Sequence, residues 1–446
     1  MAFLINLIVG IILFFYGVKI YTSYNLRPVS NPCGTGENYY LNKHLHFLLF
    51  SIATSMVFLG PFSLVKYVFW FAILIILIFF FRLKFDIIVG SYILFLLWAL
   101  FSMSYTSEPY QGTMMLIKYA LPMLYLWLGY NAINGKEDFL IFLKKSNIIL
   151  ILYALFIGGF AYKIFPFLYN LLLFKSGGLF IAYASLADFF TALFVIPLTL
   201  YVITKRSKYL YAALWLLLST VLEVVRTGLG GIALSIMFFG FIFYKWRAVP
   251  FVVFPVILFV IAILFIPDVR EKMFVDDSNT AIAQTSLTFD NIQSNGRELI
   301  WEKNIEKFYK PNPLIGAGLG TSVSYTKDNF AVHLIHSDYV QILCDMGSIG
   351  LSFFCLFFIV LVCKVVYCCW FGYNKDDFVR LSGAMAVGSC AGVLFSMAFD
   401  NVVSYSQQCF VFPFLFIGIF LKAIDLCKDS LSSTYKCNFL GADNKQ

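Results

Sequence analysis

The sequence is poor in charge. Asp, Glu, Lys and Arg make up 13% of its 446 residues, against roughly a quarter in a soluble domain. Histidine is scarcer still, at four. Residues 1–22 do not read as a secretory leader, because no basic stretch precedes the first apolar run and Lys19 follows it. There is no C-x-x-C pair at metal spacing. Nearly all of the ten cysteines sit in or beside apolar runs (Cys344, Cys355, Cys363, Cys368, Cys369, Cys390, Cys409), and none falls in the polar stretch 267–337. That pattern argues against a disulfide framework and for small buried hydrophobes. Together these absences exclude a soluble enzyme, a nucleic-acid-binding domain and a disordered scaffold.

What is present is apolar bulk. The chain is 61% hydrophobic and 19% aromatic, with 52 phenylalanines. A spanning helix needs about 20 mainly apolar residues. Thirteen runs qualify, near 3–22, 45–60, 65–81, 86–104, 113–131, 147–163, 184–203, 209–225, 228–244, 249–267, 338–365, 380–400 and 407–424. Lipid offers the backbone no partners, so spans this dense form helices. The expected fold is all-α, a polytopic transmembrane helix bundle of about 12–13 spans with one long extracytoplasmic loop domain. The divisions expected are N-terminal transmembrane helices over 1–266, the loop domain over 267–337, C-terminal transmembrane helices over 338–424 and a cytoplasmic tail over 425–446. The abundant Phe and Tyr are expected mainly as lipid-facing bulk.

Charge sets the orientation. Arg82/Lys84, Lys136/Lys144/Lys145, Lys205/Arg206/Lys208, Lys245/Arg247, Lys364/Lys375/Arg380 and Lys422/Lys428 fall on every second loop. The positive-inside rule makes those loops cytoplasmic. The net charge of +8 is thus a topology signal. The segment 267–337 then faces outside. It holds nine acidic and seven basic residues, with His333 and His336. A loop this long is usually functional. It is expected to contain a helix capped by Ser294 or Asn295, with Trp301, Ile305 and Phe308 on one stripe and Pro311 and Pro313 as the stop.

Three outer positions carry chemistry. Arg226 lies where one span ends and the next begins. An arginine at membrane depth is costly and commonly functional, although it can snorkel to the interface or pair with Glu223 on the same face. Arg297 would sit in the first turn of the loop helix, where free N–H groups and a guanidinium together favour phosphate. A solvated surface arginine is the plainer alternative. His336 heads the run His336-Ser337-Asp338-Tyr339-Val340-Gln341 at the next span, where it suits a general base or an interfacial residue. His333 and His336 have no third ligand at metal spacing. The Gly316-Ala317-Gly318-Leu319-Gly320 stretch follows no strand of a βαβ unit and reads as a flexible turn.

Taken in order, these pieces form a pattern: an outer arginine between two spans, Gly296-Arg297…Trp301, Pro313-Leu314-Ile315-Gly316-Ala317-Gly318, His336…Tyr339-Val340-Gln341, then Gly347 and Gly350, and Asp400-Asn401 at the last outer loop. The pattern resembles the O-antigen polymerase and O-antigen ligase superfamily, best over about 210–420. Ser337 and Asp338 depart from what many relatives carry after the histidine. The resemblance implies a glycosyltransferase that uses undecaprenyl-diphosphate-linked oligosaccharides at the outer face of a bacterial inner membrane. It implies no metal, no cofactor and no nucleic acid. Its partners would be membrane lipid and a chain-length regulator protein. Arg226 and Arg297 would neutralise the diphosphate, and His336 would deprotonate or orient the acceptor. Trp301, Tyr339, Asp338 and Asp400 would bind substrate. A polymerase is favoured over a ligase by the loose agreement with the motifs and the aromatic content. The rival of another class is a lipid-linked oligosaccharide transporter. It would place charges near the bilayer midplane, whereas Asp188, Glu223, Arg226 and Asp400 lie near span ends.

Overall fold

The computed structural model describes residues 83–133, 135–156, 184–223, 225–265, 297–330, 334–404 and 407–442. These are all-helical, with no strand among the described residues. The elements are α1 (Ile87–Ser102), α2 (Pro109–Ala132), α3 (Lys136–Phe156), α4 (Ala184–Leu193), α5 (Val195–Thr204), α6 (Ser207–Glu223), α7 (Arg226–Tyr244), α8 (Val249–Phe265), α9 (Arg297–Asn304), α10 (Thr321–Asn329), α11 (Asp338–Tyr367), α12 (Asp377–Phe399) and α13 (Gln407–Ala442). Among the described residues four stretches are long and apolar enough to cross a membrane: Arg226–Ala248, Asp338–Gly372, Asp377–Phe399 and Cys409–Ser430. The expected spans at 3–22, 45–60 and 65–81 lie outside the described residues, as do Ser294, Asn295 and His333.

Three boundaries differ from the sequence reading. α3 starts at Lys136, eleven residues before the expected span. Its charged first half is amphipathic: Phe139, Phe142 and Leu143 are buried while Lys144 is exposed. Glu137 and Asp138 in its first turn suit the positive helix end. The span expected at 184–203 breaks at Phe194. Pro197 has no N–H to give the Leu193 carbonyl, so the helical ladder cannot run through. α13 continues without interruption through the residues expected as a tail, to Ala442.

Aromatic residues also behave differently from the expectation of lipid-facing bulk. Tyr92, Phe95, Tyr119, Phe354, Phe357 and Phe410 are among the largest fully buried side chains. Most of their rings meet edge-on or tilted, as in Phe95 against Tyr119 at 5.2 Å and Tyr92 against Phe414 at 4.6 Å, while Phe357 stacks on Phe414 at 5.1 Å. Between helices in lipid, burial alone gives little drive, so packing and ring geometry carry the association. These side chains therefore knit α1, α2, α11 and α13 together.

Two contacts set the vertical register. α7 and α12 pack antiparallel through small residues. A Cβ on Gly231 would lie 3.0 Å from the Gly392 carbonyl, and one on Gly388 2.9 Å from that of Ser235. This brings the start of α7, at Arg226, level with the end of α12, at Phe399. α1 and α11 are likewise antiparallel, with Trp98 Nε1 donating to the Met346 carbonyl at 3.0 Å and Lys364 meeting Asp86. The starts of α7 and α11 and the end of α12 thus share one end of the bundle, called the upper end below.

α11 is a broken helix. Gly347 has φ 67° and ψ −171°, which interrupts the ladder inside a spanning segment. Groups freed by the break are taken up by the segment 313–318, and the Met346 carbonyl by Trp98. Ala317 N–H donates to the Cys344 carbonyl and Gly318 N–H to that of Asp345, each at 2.9 Å. From below the break, Ser348 N–H donates to the Pro313 carbonyl and Ile349 N–H to that of Leu314. The Asp345 carboxylate accepts from Gly320 and Ser322 N–H, both at 2.9 Å. It thereby caps the start of α10. The stretch expected as a flexible turn is instead a closely packed clamp, because backbone cannot be left unpaired at this depth. Tyr105 and Thr106 close over it by donating to the Ile315 and Leu319 carbonyls.

Candidate functional site

The expected site residues come from separate helix ends. Arg226 opens α7 and Arg297 opens α9. α9 and the turn that follows it bury Ile300, Asn304 and Phe308, so of the expected stripe Phe308 is buried while Trp301 and Ile305 lie half-buried at its edge. That seats Arg297 at the side, with Nη1 donating to the Phe399 carbonyl at the end of α12. Arg226 lies near enough for the two guanidinium charges to act on each other. Like charges held together at two helix N-termini create a strongly positive locus.

His336 lies beside it. Its Nδ1 is 3.1 Å from Asp400 Oδ1, with the two side chains 21% and 12% exposed. This leaves both reachable while holding the ring. With a proton on Nδ1 shared toward the carboxylate, Nε2 is the basic nitrogen. The backbone at His336 is left-handed, φ 59°, uncommon for any residue with a side chain. It is held in place by the His336 N–H donating to Asn401 Oδ1 at 2.5 Å. Trp301 Nε1 donates to the Ile335 carbonyl at 2.7 Å, pinning the preceding residue.

Two further candidates point inward. Asp338 is fully buried. Its Oδ2 accepts from Val403 N–H at 3.2 Å and its Oδ1 from Asn401 Nδ2 at 3.4 Å. Tyr339 gives its hydroxyl proton to the Leu394 carbonyl at 3.0 Å and packs on Phe354. Arg226, Arg297, His336 and Asp400 are therefore brought together at the upper end. Trp301, Tyr339 and Asp338 bear on the backbone around them.

Sequence reasoning gave no role to three participants. Asn401 links both halves of the site, because its Nδ2 also donates to Gln341 Oε1 at 3.1 Å. Its neighbour Asp400 was singled out, but nothing in sequence ties an amide to a backbone N–H 65 residues away. Asp345 anchors the clamp and carried no signal beyond being a carboxylate in an apolar run. Lys118 donates to the Ser404 carbonyl at 2.7 Å. Its signal was plain: a single cation inside the apolar run 113–131. Among the described residues no three of His, Cys, Asp and Glu group closely enough to hold a metal ion.

Residues 211–355 match the model of the O-antigen ligase family, which is consistent with the resemblance to the O-antigen polymerase and ligase superfamily. The match takes in Arg226, Arg297, Trp301, His336, Asp338 and Tyr339, and stops before Asp400. No curated protein matches the chain.

Proposed function

We propose, taking that superfamily as the premise, that this chain is an O-antigen or surface-polysaccharide polymerase. It transfers a growing glycan from undecaprenyl diphosphate onto the next lipid-linked repeat unit. The observation that carries this reading is the convergence of Arg226, Arg297 and the His336–Asp400 pair at one end of a membrane bundle. A diphosphate leaving group develops negative charge as the C1–O bond breaks. Two guanidinium groups at helix N-termini are suited to that charge and act where it grows. The acceptor hydroxyl attacks C1 and gives its proton to His336 Nε2, while Asp400 holds Nδ1 and stabilises the imidazolium. The new glycosidic bond forms and undecaprenyl diphosphate departs with the electron pair.

The arginines supply the countercharge, so the reading needs no divalent ion, and EDTA is expected to leave the rate unchanged. Asp400 is assigned to the substrate-facing pair. Asp338, Trp301 and Tyr339 are assigned to holding the His336 segment. By the positive-inside rule the lysine-rich lower end faces the cytoplasm and the site faces the periplasm of the inner membrane. A chain-length regulator is proposed as a protein partner. The ligase is the second reading, favoured by the matched family being that of O-antigen ligases, and would send the glycan to lipid A–core.

The test is genetic. Deletion in the native strain should leave core carrying a single repeat unit, and Arg226→Ala, Arg297→Ala or His336→Ala should fail to restore the ladder. Bare core with polymerised lipid-linked glycan accumulating would make the protein the ligase. An intact ladder would overturn both.

A further inference from the structure

Lys118 is the cation no motif accounts for. It lies on α2, outside the matched span 211–355, in the apolar sequence Met114-Met115-Leu116-Ile117-Lys118-Tyr119-Ala120-Leu121. An ionisable residue inside a spanning segment is costly and calls for a partner and a purpose. It is half-buried, and its Nζ donates to the Ser404 carbonyl at 2.7 Å. It also lies within reach of the Asp338 charge.

Ser404 belongs to one short loop, and Asp338 binds that same loop from α11. Residues 400–404 join the end of α12 toward α13. Asp338 accepts from Val403 N–H and from Asn401 Nδ2. Gln341 Oε1 accepts from Asn401 Nδ2 at 3.1 Å and from Ser404 Oγ at 3.5 Å. On its other side the loop touches His336 twice. Asn401 Oδ1 takes the His336 N–H, and Asp400 Oδ1 meets the ring. The chain of contacts therefore runs from Lys118 through Ser404, Val403, Asn401 and Asp400 to His336. Lys118 grips one end of this loop from α2, and Asp338 grips its middle from α11.

We propose that Lys118 is a positioning residue for the reaction: by holding the Ser404 end of the 400–404 loop, it sets Asp400 and Asn401 and, through them, the place of the His336 ring. It touches no substrate. This rests on the reading of His336 as the acceptor base, and the experiment separates the two.

The assay uses full-length protein in membranes of the deletion strain, whose own accumulated lipid-linked glycan serves as donor and acceptor, with ladder formation followed in time. Thermal unfolding of each purified variant is measured beside it. Lys118→Met is expected to lose about a hundredfold in rate, the scale of an ångström-sized misplacement of a reacting group, with its unfolding midpoint near that of the parent. Lys118→Arg, which keeps a donor and the charge, is expected to recover most of the rate. The double variant Lys118→Met/His336→Ala is expected to be no slower than His336→Ala, since one acts through the other. Wild-type rate in Lys118→Met with His336→Ala inactive overturns the proposal alone. A fallen midpoint with no rescue by arginine also overturns it, making Lys118 a packing residue. Full activity in His336→Ala sinks the acceptor-base reading itself, and the proposal with it.

Discussion

The two ends of the bundle hold their cations in different ways. At the lower end five are settled next to a nearby acceptor. Lys84 meets Asp425 at 2.6 Å and Lys364 meets Asp86 at 2.5 Å, while Lys136 lies 3.5 Å from Asp376. Lys245 donates to the Trp370 carbonyl and Arg380 to that of Phe243. At the upper end Arg297 too has an acceptor, the Phe399 carbonyl, but its charge and that of Arg226 act on each other beside a histidine already held by a carboxylate. Keeping like charges together costs stability. Lys84 and Lys422 also act on each other at the lower end, but there Asp425 pairs directly with Lys84 and offsets the charge. The lower end locks helix to helix, and the upper end is the one we propose for an anion.

The largest test of that contrast is removal of charge at the upper end. Arg297→Ala and Arg226→Ala are each expected to lower the polymerisation rate by about 10²–10³, the usual loss for one donor aimed at a developing charge. Their unfolding midpoints should stay near the parent's. A variant retaining half the parental rate would remove that arginine from the site. His336→Ala is expected next, with a loss of about 10²–10⁴. Asp400→Asn should cost less, because the ring stays hydrogen-bonded while losing its countercharge. A larger loss for Asp400→Asn than for His336→Ala would assign the base role to the carboxylate.

Gly347→Ala tests structure in place of chemistry. The new Cβ would stand 2.2 Å from the Leu314 carbonyl at a left-handed φ, for an expected loss of about 1–3 kcal/mol. This should be read as a lower unfolding midpoint in detergent. An unchanged midpoint would mean that the clamp is not rigid. The smallest effect belongs to the lower end. Lys364→Met is expected to leave the polymerisation rate unchanged and to cost about 1 kcal/mol or less, since the pair is partly open to solvent. A strong loss of activity there would break the division between the ends.

Much of this architecture was legible. The apolar runs found spans to within a few residues at Arg226–Tyr244, Asp377–Phe399 and Ser207–Glu223. Alternating loop charge predicted which helix ends gather together. The errors came where a helix was not uniformly apolar. The start of α3 looked like a loop because hydropathy averages over both faces of an amphipathic helix. The glycines at 316, 318 and 320 looked loose because a short sequence does not reveal that a broken helix elsewhere needs their backbone.

Composition by itself determined the solvent: with so few charges and so much apolar surface, only a membrane bundle satisfies the chain. Hydropathy and charge then determined where helices run and which ends meet. Arg226, Arg297 and His336 were visible because a charge near lipid is expensive enough to stand out. The tertiary structure alone decided what those residues have for neighbours. Antiparallel packing of α7 on α12 sets the level of Arg226. The 400–404 loop turns Asp400 onto His336 and ties both to Lys118 on a helix far away in sequence. Such pairings depend on rotation and register between helices. Those are set by close packing of small and aromatic side chains, and no local pattern encodes them.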